Sequence, residues 1–180
     1  TPQWRDRESA GVYDRLRPVI DRLFAALAAA ELPTTWATVA SMGVENVADL
    51  PVDHLPSSYR DAVIRFHDSA RWSTRCANDL FDKWDAIDAF SELATHTATH
   101  IYAEHPEVLA EHYTEDVRLS VEMLRNRFGR EIQTIVFPRD QARFSGDMLS
   151  FGGLNYRVNP RENLRCRGRA RRLLDGASSL

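Results

Sequence analysis

Helical and strand-like patterns alternate along this chain, and that alternation restricts the fold more than any other feature. Between Tyr13 and Glu31, the residues Leu16, Val19, Ile20, Leu23, Phe24 and Leu27 recur at three- and four-residue steps. That spacing gathers apolar side chains on one face of a helix. Arg15, Arg17, Asp21 and Arg22 fall on the wet side, Pro18 suits a first turn, and Leu32-Pro33 ends the helix. Thr34 to Ala40 is short, β-branched and aromatic, which predicts a buried strand. Helix, proline turn and strand in that order make half of a βαβ unit.

The alternation continues. Met42 to Ser58, with Pro51 and Pro56, predicts a loop holding short helical pieces. Ser57 to Ser69 and Asn78 to Phe90 have helical spacing, the second with an apolar face of Leu80, Phe81, Trp84, Ile87 and Phe90. Ser91 to Thr95 has strand character. Pro106 to Phe128 is the longest helical pattern, with Val108, Leu109, Val117, Val121 and Leu124 directed inward and Gly129 placed to end it. Gln133 to Phe137 predicts a buried strand closed by Pro138, Gly146 to Phe151 a short helix, and Leu154 to Val158 another strand. The fold class expected is α/β with a parallel sheet, either open or closed into a barrel.

Size and charge narrow the function classes. A chain of 180 residues with 43% hydrophobic and 27% charged residues can bury a single core. Two cysteines, Cys76 and Cys166, cannot make a disulfide scaffold and are read as reduced structural thiols. No window approaches the apolar run of a membrane span, and the opening TPQWRDRES is not a secretory leader, so a cytoplasmic location is expected. A net charge of -3 makes no general case for nucleic acid. Arginines crowd the C-terminal segment (Arg157, Arg161, Arg165, Arg167, Arg169, Arg171, Arg172), but with little aromatic interleaving. A solvated loop is the favoured reading there and a polyanion surface the rival.

Chemistry concentrates just past two of the expected strands. His96-Thr97-Ala98-Thr99-His100 follows the strand at 91–95. On a helical turn, positions i and i+4 share a face, so both imidazoles could reach one cation, with Thr97 and Thr99 fixing the rings from behind. A third ligand and an open position for water would have to come from elsewhere. A pair of histidines four apart also arises by chance in a chain holding six. His105 and His112 are expected as solvated members of the following helix, and His54 and His67 have no partner pattern. The second cluster is Phe137-Pro138-Arg139-Asp140-Gln141, which a parallel sheet would bring to the same rim. Arg139 there could orient a carboxylate, although a polar turn after a strand needs no function.

Taken together, these segments resemble the polysaccharide deacetylases of the nodulation-B homology type, carbohydrate esterase family four. Glu92 to His100 is similar to that family's Ser/Thr-His-Thr/Ser-x-x-His motif, and Leu32 to Val39 to its second strand. Val136 to Gln141, followed by Gly153-Leu154-Asn155-Tyr156-Arg157, resembles the branch with Phe-Pro-Arg-Asn-Gln at this place. The resemblance implies a distorted (β/α) barrel, a divalent metal that is usually zinc, and hydrolysis of an N- or O-acetyl group on a sugar or polysaccharide. His96 and His100 carry over as metal ligands. Arg139 stands where the family places a site arginine, though without the usual Arg-x-Pro-Tyr order, and Thr97, Asp140 and Gln141 stand in support of the site.

The family's first motif, an acidic pair supplying the catalytic base and the third metal ligand, is expected before Trp4. Its Leu-x-His motif, supplying the general acid, is expected after Arg172. Neither occurs in this sequence. The expectation is therefore one domain over 1–180 that lacks its first and last strands, with exposed sheet edges that assembly into a homo-oligomer would cover. The rival expectation is a non-catalytic relative that keeps the scaffold to bind sugar or a protein partner.

Overall fold

The computed structural model describes residues 10–68, 78–141 and 155–157. Helix α1 (Ala10–Ala30) leads through Leu32-Pro33 into strand β1 (Thr35–Thr38). Two 3-10 turns, Ala40–Gly43 and Val47–Asp49, then carry the chain to α2 (Ser57–Asp68). After α3 (Asn78–Phe81) and a 3-10 turn at Trp84–Ala86 come β2 (Glu92–Thr95), α4 (Ala110–Phe128), β3 (Thr134–Val136), a 3-10 turn at Pro138–Asp140 and β4 (Asn155–Arg157). The helix expected over 146–151, both cysteines and the arginines from 161 onward lie outside the described residues.

All strand pairings are parallel, and the four strands lie in the order β1-β2-β3-β4. The α/β class expected from the alternation is therefore present. Among the described residues the sheet is open, with β1 and β4 at its edges. No helix among the described residues is long and apolar enough to cross a membrane.

Several boundaries differ from the sequence reading, each for a physical reason. Helix α1 begins at Ala10, so Pro18 lies inside it and not in its first turn. A proline there leaves the carbonyl four residues earlier without its helical N–H. The segment 34–40 was expected as a buried strand, yet β1 alternates between exposed and half-buried residues. Among the described residues it is paired on one side, by β2, and its Trp36 packs on Phe24 of α1 with ring centroids 4.6 Å apart. The helix expected over 78–90 stops at Phe81. Beyond it, three-residue bonds take over, such as Ile87 N–H to the Trp84 carbonyl at 2.9 Å. Asp82, Asp85 and Asp88 recur there, and aspartate competes with the helical backbone. Trp84 and Ile87 are buried all the same.

Helix α4 starts at Ala110, not near Pro106, and at 19 residues is shorter than the 21 of α1. Leu109, expected to face inward, is its 52% exposed N-terminal cap residue, and its N–H donates to His112 Nδ1. Gly129 ends α4 as expected: its φ of 64 is the left-handed conformation glycine adopts without steric cost, and its N–H closes on the Arg125 carbonyl.

The core has two parts that share Val121 of α4. One gathers Tyr59, Ile101, Tyr113, Val117, Ile135 and Phe137, and lies behind the turn that follows β2. The other joins Phe24 and Leu27 to Trp84, Ile87, Leu93 and Leu124. Gly43 marks a close approach: a Cβ there would meet the Phe81 ring at 2.5 Å. That ring also packs on Phe128, with centroids 5.4 Å apart. Gly43→Ala is therefore expected to cost about 1–3 kcal/mol, the usual range for overpacking. A urea midpoint equal to that of the parent protein would contradict this contact.

Candidate functional site

Strand β2 is one of the two inner strands of the described sheet, and its backbone ladder continues past Thr95. The His96 N–H donates to the Thr38 carbonyl at 2.8 Å, and the Thr97 and Ala98 carbonyls accept from Ala40 and Ser41. The next residues, 96–100, do not form the helical turn that the spacing predicts. They make an irregular turn in which Thr97 (φ 69) and His100 (φ 59) are both left-handed. A β-branched threonine in that region is a genuine outlier, costing on the order of 1–3 kcal/mol. Arg139, past β3, is a third such residue (φ 55), so among the described residues three of the four non-glycine positive-φ residues stand just past the C-terminal ends of two neighbouring strands.

The turn nevertheless brings the two imidazoles together, with ring centroids 4.9 Å apart and planes at 60°. His96 Nδ1 lies 2.7 Å from the Val136 carbonyl oxygen. A carbonyl only accepts, so Nδ1 is the donor in this contact. This is how a metal-binding histidine is oriented by its outer hydrogen bond. His100 Nδ1 is buried without a hydrogen-bond partner among the described residues. Burial, the neighbouring His96 and the Arg139 charge lower its proton affinity from the usual 6.5 to about 4, so its ring is neutral near pH 7.

Aromatic residues enclose the pair. The His100 ring stands edge-on to Tyr102, with centroids 5.2 Å apart, and the Tyr59 hydroxyl donates to the His100 carbonyl at 2.8 Å. Burial pushes the Tyr59 phenol far above its ordinary range, so it stays a donor. Arg139 was expected to orient a carboxylate. The structure places its guanidinium carbon 4.1 Å above the centre of the Tyr102 ring, and among the described residues it has no carboxylate partner.

The supporting residues are placed differently from the sequence reading. The Thr97 hydroxyl accepts the Ile101 N–H at 3.2 Å, and the Thr97 N–H donates to Thr95 Oγ1, so Thr97 braces the turn's backbone and not a ring. Gln141 pairs with the backbone and side chain of Glu104, away from the imidazoles. Asp140 ends the 3-10 turn at Pro138–Asp140, and its side chain lies outside the described residues. His105, expected in the following helix, precedes α4 and packs edge-on against Tyr59 at 5.6 Å.

Two residues that matter here were not singled out from sequence. Asp116 of α4 is fully buried. Its Oδ1 accepts the Ala98 and Thr99 N–H groups at 2.7 and 3.1 Å. Its Oδ2 accepts the Thr99 hydroxyl at 2.7 Å and lies 2.9 Å from His54 Nε2. His54, for which the sequence offered no partner, therefore has one 62 residues away. A signal for Asp116 did exist: Tyr113, Asp116, Val117, Ser120 and Leu124 form one inward stripe, and a carboxylate inside an apolar stripe must be satisfied by something.

The donor set suits a borderline cation such as zinc: two adjacent imidazoles, one oriented by a backbone carbonyl and one neutral near pH 7, with a buried nitrogen that has no hydrogen-bond partner among the described residues. Among the described residues no third His, Cys, Asp or Glu joins them to make a metal-holding group of three. No family model, no curated protein and no solved structure matches this chain.

Proposed function

We propose that this chain carries the histidine half of a metal-dependent hydrolase that removes acetyl groups from an N- or O-acetylated sugar or polysaccharide. The observation that carries the reading is the meeting of His96 and His100 in a strained turn at the C-terminal end of β2, with the His96 tautomer set by the Val136 carbonyl. A bound divalent cation, zinc by donor type, supplies Lewis-acid polarisation of the acetyl carbonyl. His96 would hold that cation with its ring oriented by the Val136 carbonyl. His100 stays neutral because its ring is buried, which keeps a lone pair available near pH 7. Arg139, exposed and supported from below by the Tyr102 face, orients a carboxylate at the mouth of the site.

The same reading carries the fold further, to the distorted (β/α) barrel of the polysaccharide deacetylases. Four parallel strands in sequential order are the arrangement found around part of such a barrel. Calorimetric zinc titration tests the function. The chain is expected to bind one zinc, and His96→Ala or His100→Ala to weaken that binding by more than about tenfold. Acetate release from acetylated oligosaccharides is expected to depend on the same two residues. Equal zinc affinity in the parent protein and both variants would sink the metal reading and leave a scaffold that binds without catalysis.

A further inference from the structure

We infer that Asp116 is a positioning residue for the His96–His100 pair, acting through the backbone of Ala98 and Thr99, and that His54 completes its setting. The inference rests on the metal reading above. Ala98 and Thr99 are two of the three residues between the imidazoles, and their N–H groups both point at one carboxylate oxygen. The turn therefore closes around an acceptor that belongs to another element. Without it, two backbone donors would face a buried interior unpaired, next to two residues already in the left-handed region.

The carboxylate itself is saturated. Thr99 Oγ1 and His54 Nε2 occupy Oδ2, so all four contacts come from donors and the side chain cannot rotate to serve one without losing another. His54 comes from the segment between the Val47–Asp49 turn and α2, Thr99 from the turn after β2, and Asp116 from α4. Three elements are thus tied at one point, at the residue that precedes His100.

A residue that only stabilised the fold would change the unfolding midpoint and leave the imidazoles as they are. A positioning residue must change the imidazoles. Asp116→Asn keeps the volume and replaces one acceptor oxygen by a donor. Thr99→Val removes one donor to the carboxylate, and His54→Phe another. His54→Gln keeps an N–H donor and serves as the conservative rescue.

The experiment measures zinc affinity by calorimetry and imidazole tautomers by long-range proton–nitrogen correlation spectra of the zinc-free full chain. Asp116→Asn is expected to weaken zinc about tenfold or more, Thr99→Val and His54→Phe by smaller factors, and His54→Gln by less than twofold. In the zinc-free spectra, the His96 and His100 nitrogen shifts are expected to move in Asp116→Asn while those of His112 stay. If Asp116→Asn does not fold, Thr99→Val and His54→Phe decide the matter by the same two measurements. Folded variants with parental zinc affinity and unmoved His96 and His100 shifts would overturn the inference. If the parent protein binds no zinc, the metal reading fails, and the zinc-free spectra alone judge whether Asp116 positions the pair.

Discussion

Ile101→Ala is expected to lower the unfolding free energy by about 2–5 kcal/mol, the range for truncating a fully buried aliphatic side chain. Ile101 is 0% exposed and immediately follows His100. Its side chain belongs to the core that also holds Tyr113, Val117, Ile135 and Phe137, and its N–H donates to Thr97 Oγ1. The residue is therefore the point where the strained turn is anchored in apolar packing. Removal leaves a cavity in a core drawn from several elements, which cannot all collapse into it. Ile101→Val, which removes one methylene, is expected to cost about 0.5–1.5 kcal/mol. Urea unfolding followed by circular dichroism gives both numbers. A loss below 1 kcal/mol for the alanine variant, at unchanged dependence on urea, would show that the turn is not held this way.

Acid is expected to destabilise the protein through His67. This residue of α2 is 4% exposed, and burial lowers its proton affinity from the usual 6.5 to about 4. The unfolded chain takes up a proton below pH 6.5, whereas the folded protein resists until about pH 4. In that window the unfolded state binds more protons, so stability falls as the pH falls. The contribution is fully present above pH 6.5, declines between 6.5 and 4, and has gone below 4. Its size is about 3 kcal/mol, from the free energy of a pKa difference of this order. His100, lowered in the same direction, adds to the slope over the same window. Unfolding midpoints at pH 7, 5.5 and 4.5 for the parent protein and for His67→Leu isolate the His67 part. The leucine variant is expected to lose less stability on acidification, and parallel curves for the two proteins would refute the assignment.

Where the chain turns from helix to strand was largely legible in the residues. Leu16 to Leu27 marked α1, Gly129 marked the end of α4, and Gln133 to Phe137 bracketed β3. The misreadings came where local pattern and local cost disagree. Pro18 suggests a helix start, but α1 extends through it. The apolar residues of 78–90 keep helical spacing while the backbone winds into shorter turns, so Trp84 and Ile87 reach the core without a continuous helix. Hydrophobic spacing reports which side chains turn inward. It says less about the winding that brings them there.

The candidate site divides along the same line. The adjacency of His96 and His100, and their position just past a strand, could be read from the spacing and from the strand before them. The reason they meet could not. Spacing suggested a helical turn, whereas the chain uses two left-handed residues, and such conformations are stabilised by partners far along the sequence. Val136 sets the His96 ring from 40 residues away, Asp116 accepts the Ala98 N–H from 18, and His54 reaches Asp116 from 62. Helix and strand periodicities act over a few residues and so are written locally. The tautomer of one histidine, the burial that keeps the other neutral and the carboxylate that shapes their turn depend on contacts that exist only once the sheet and α4 have packed together.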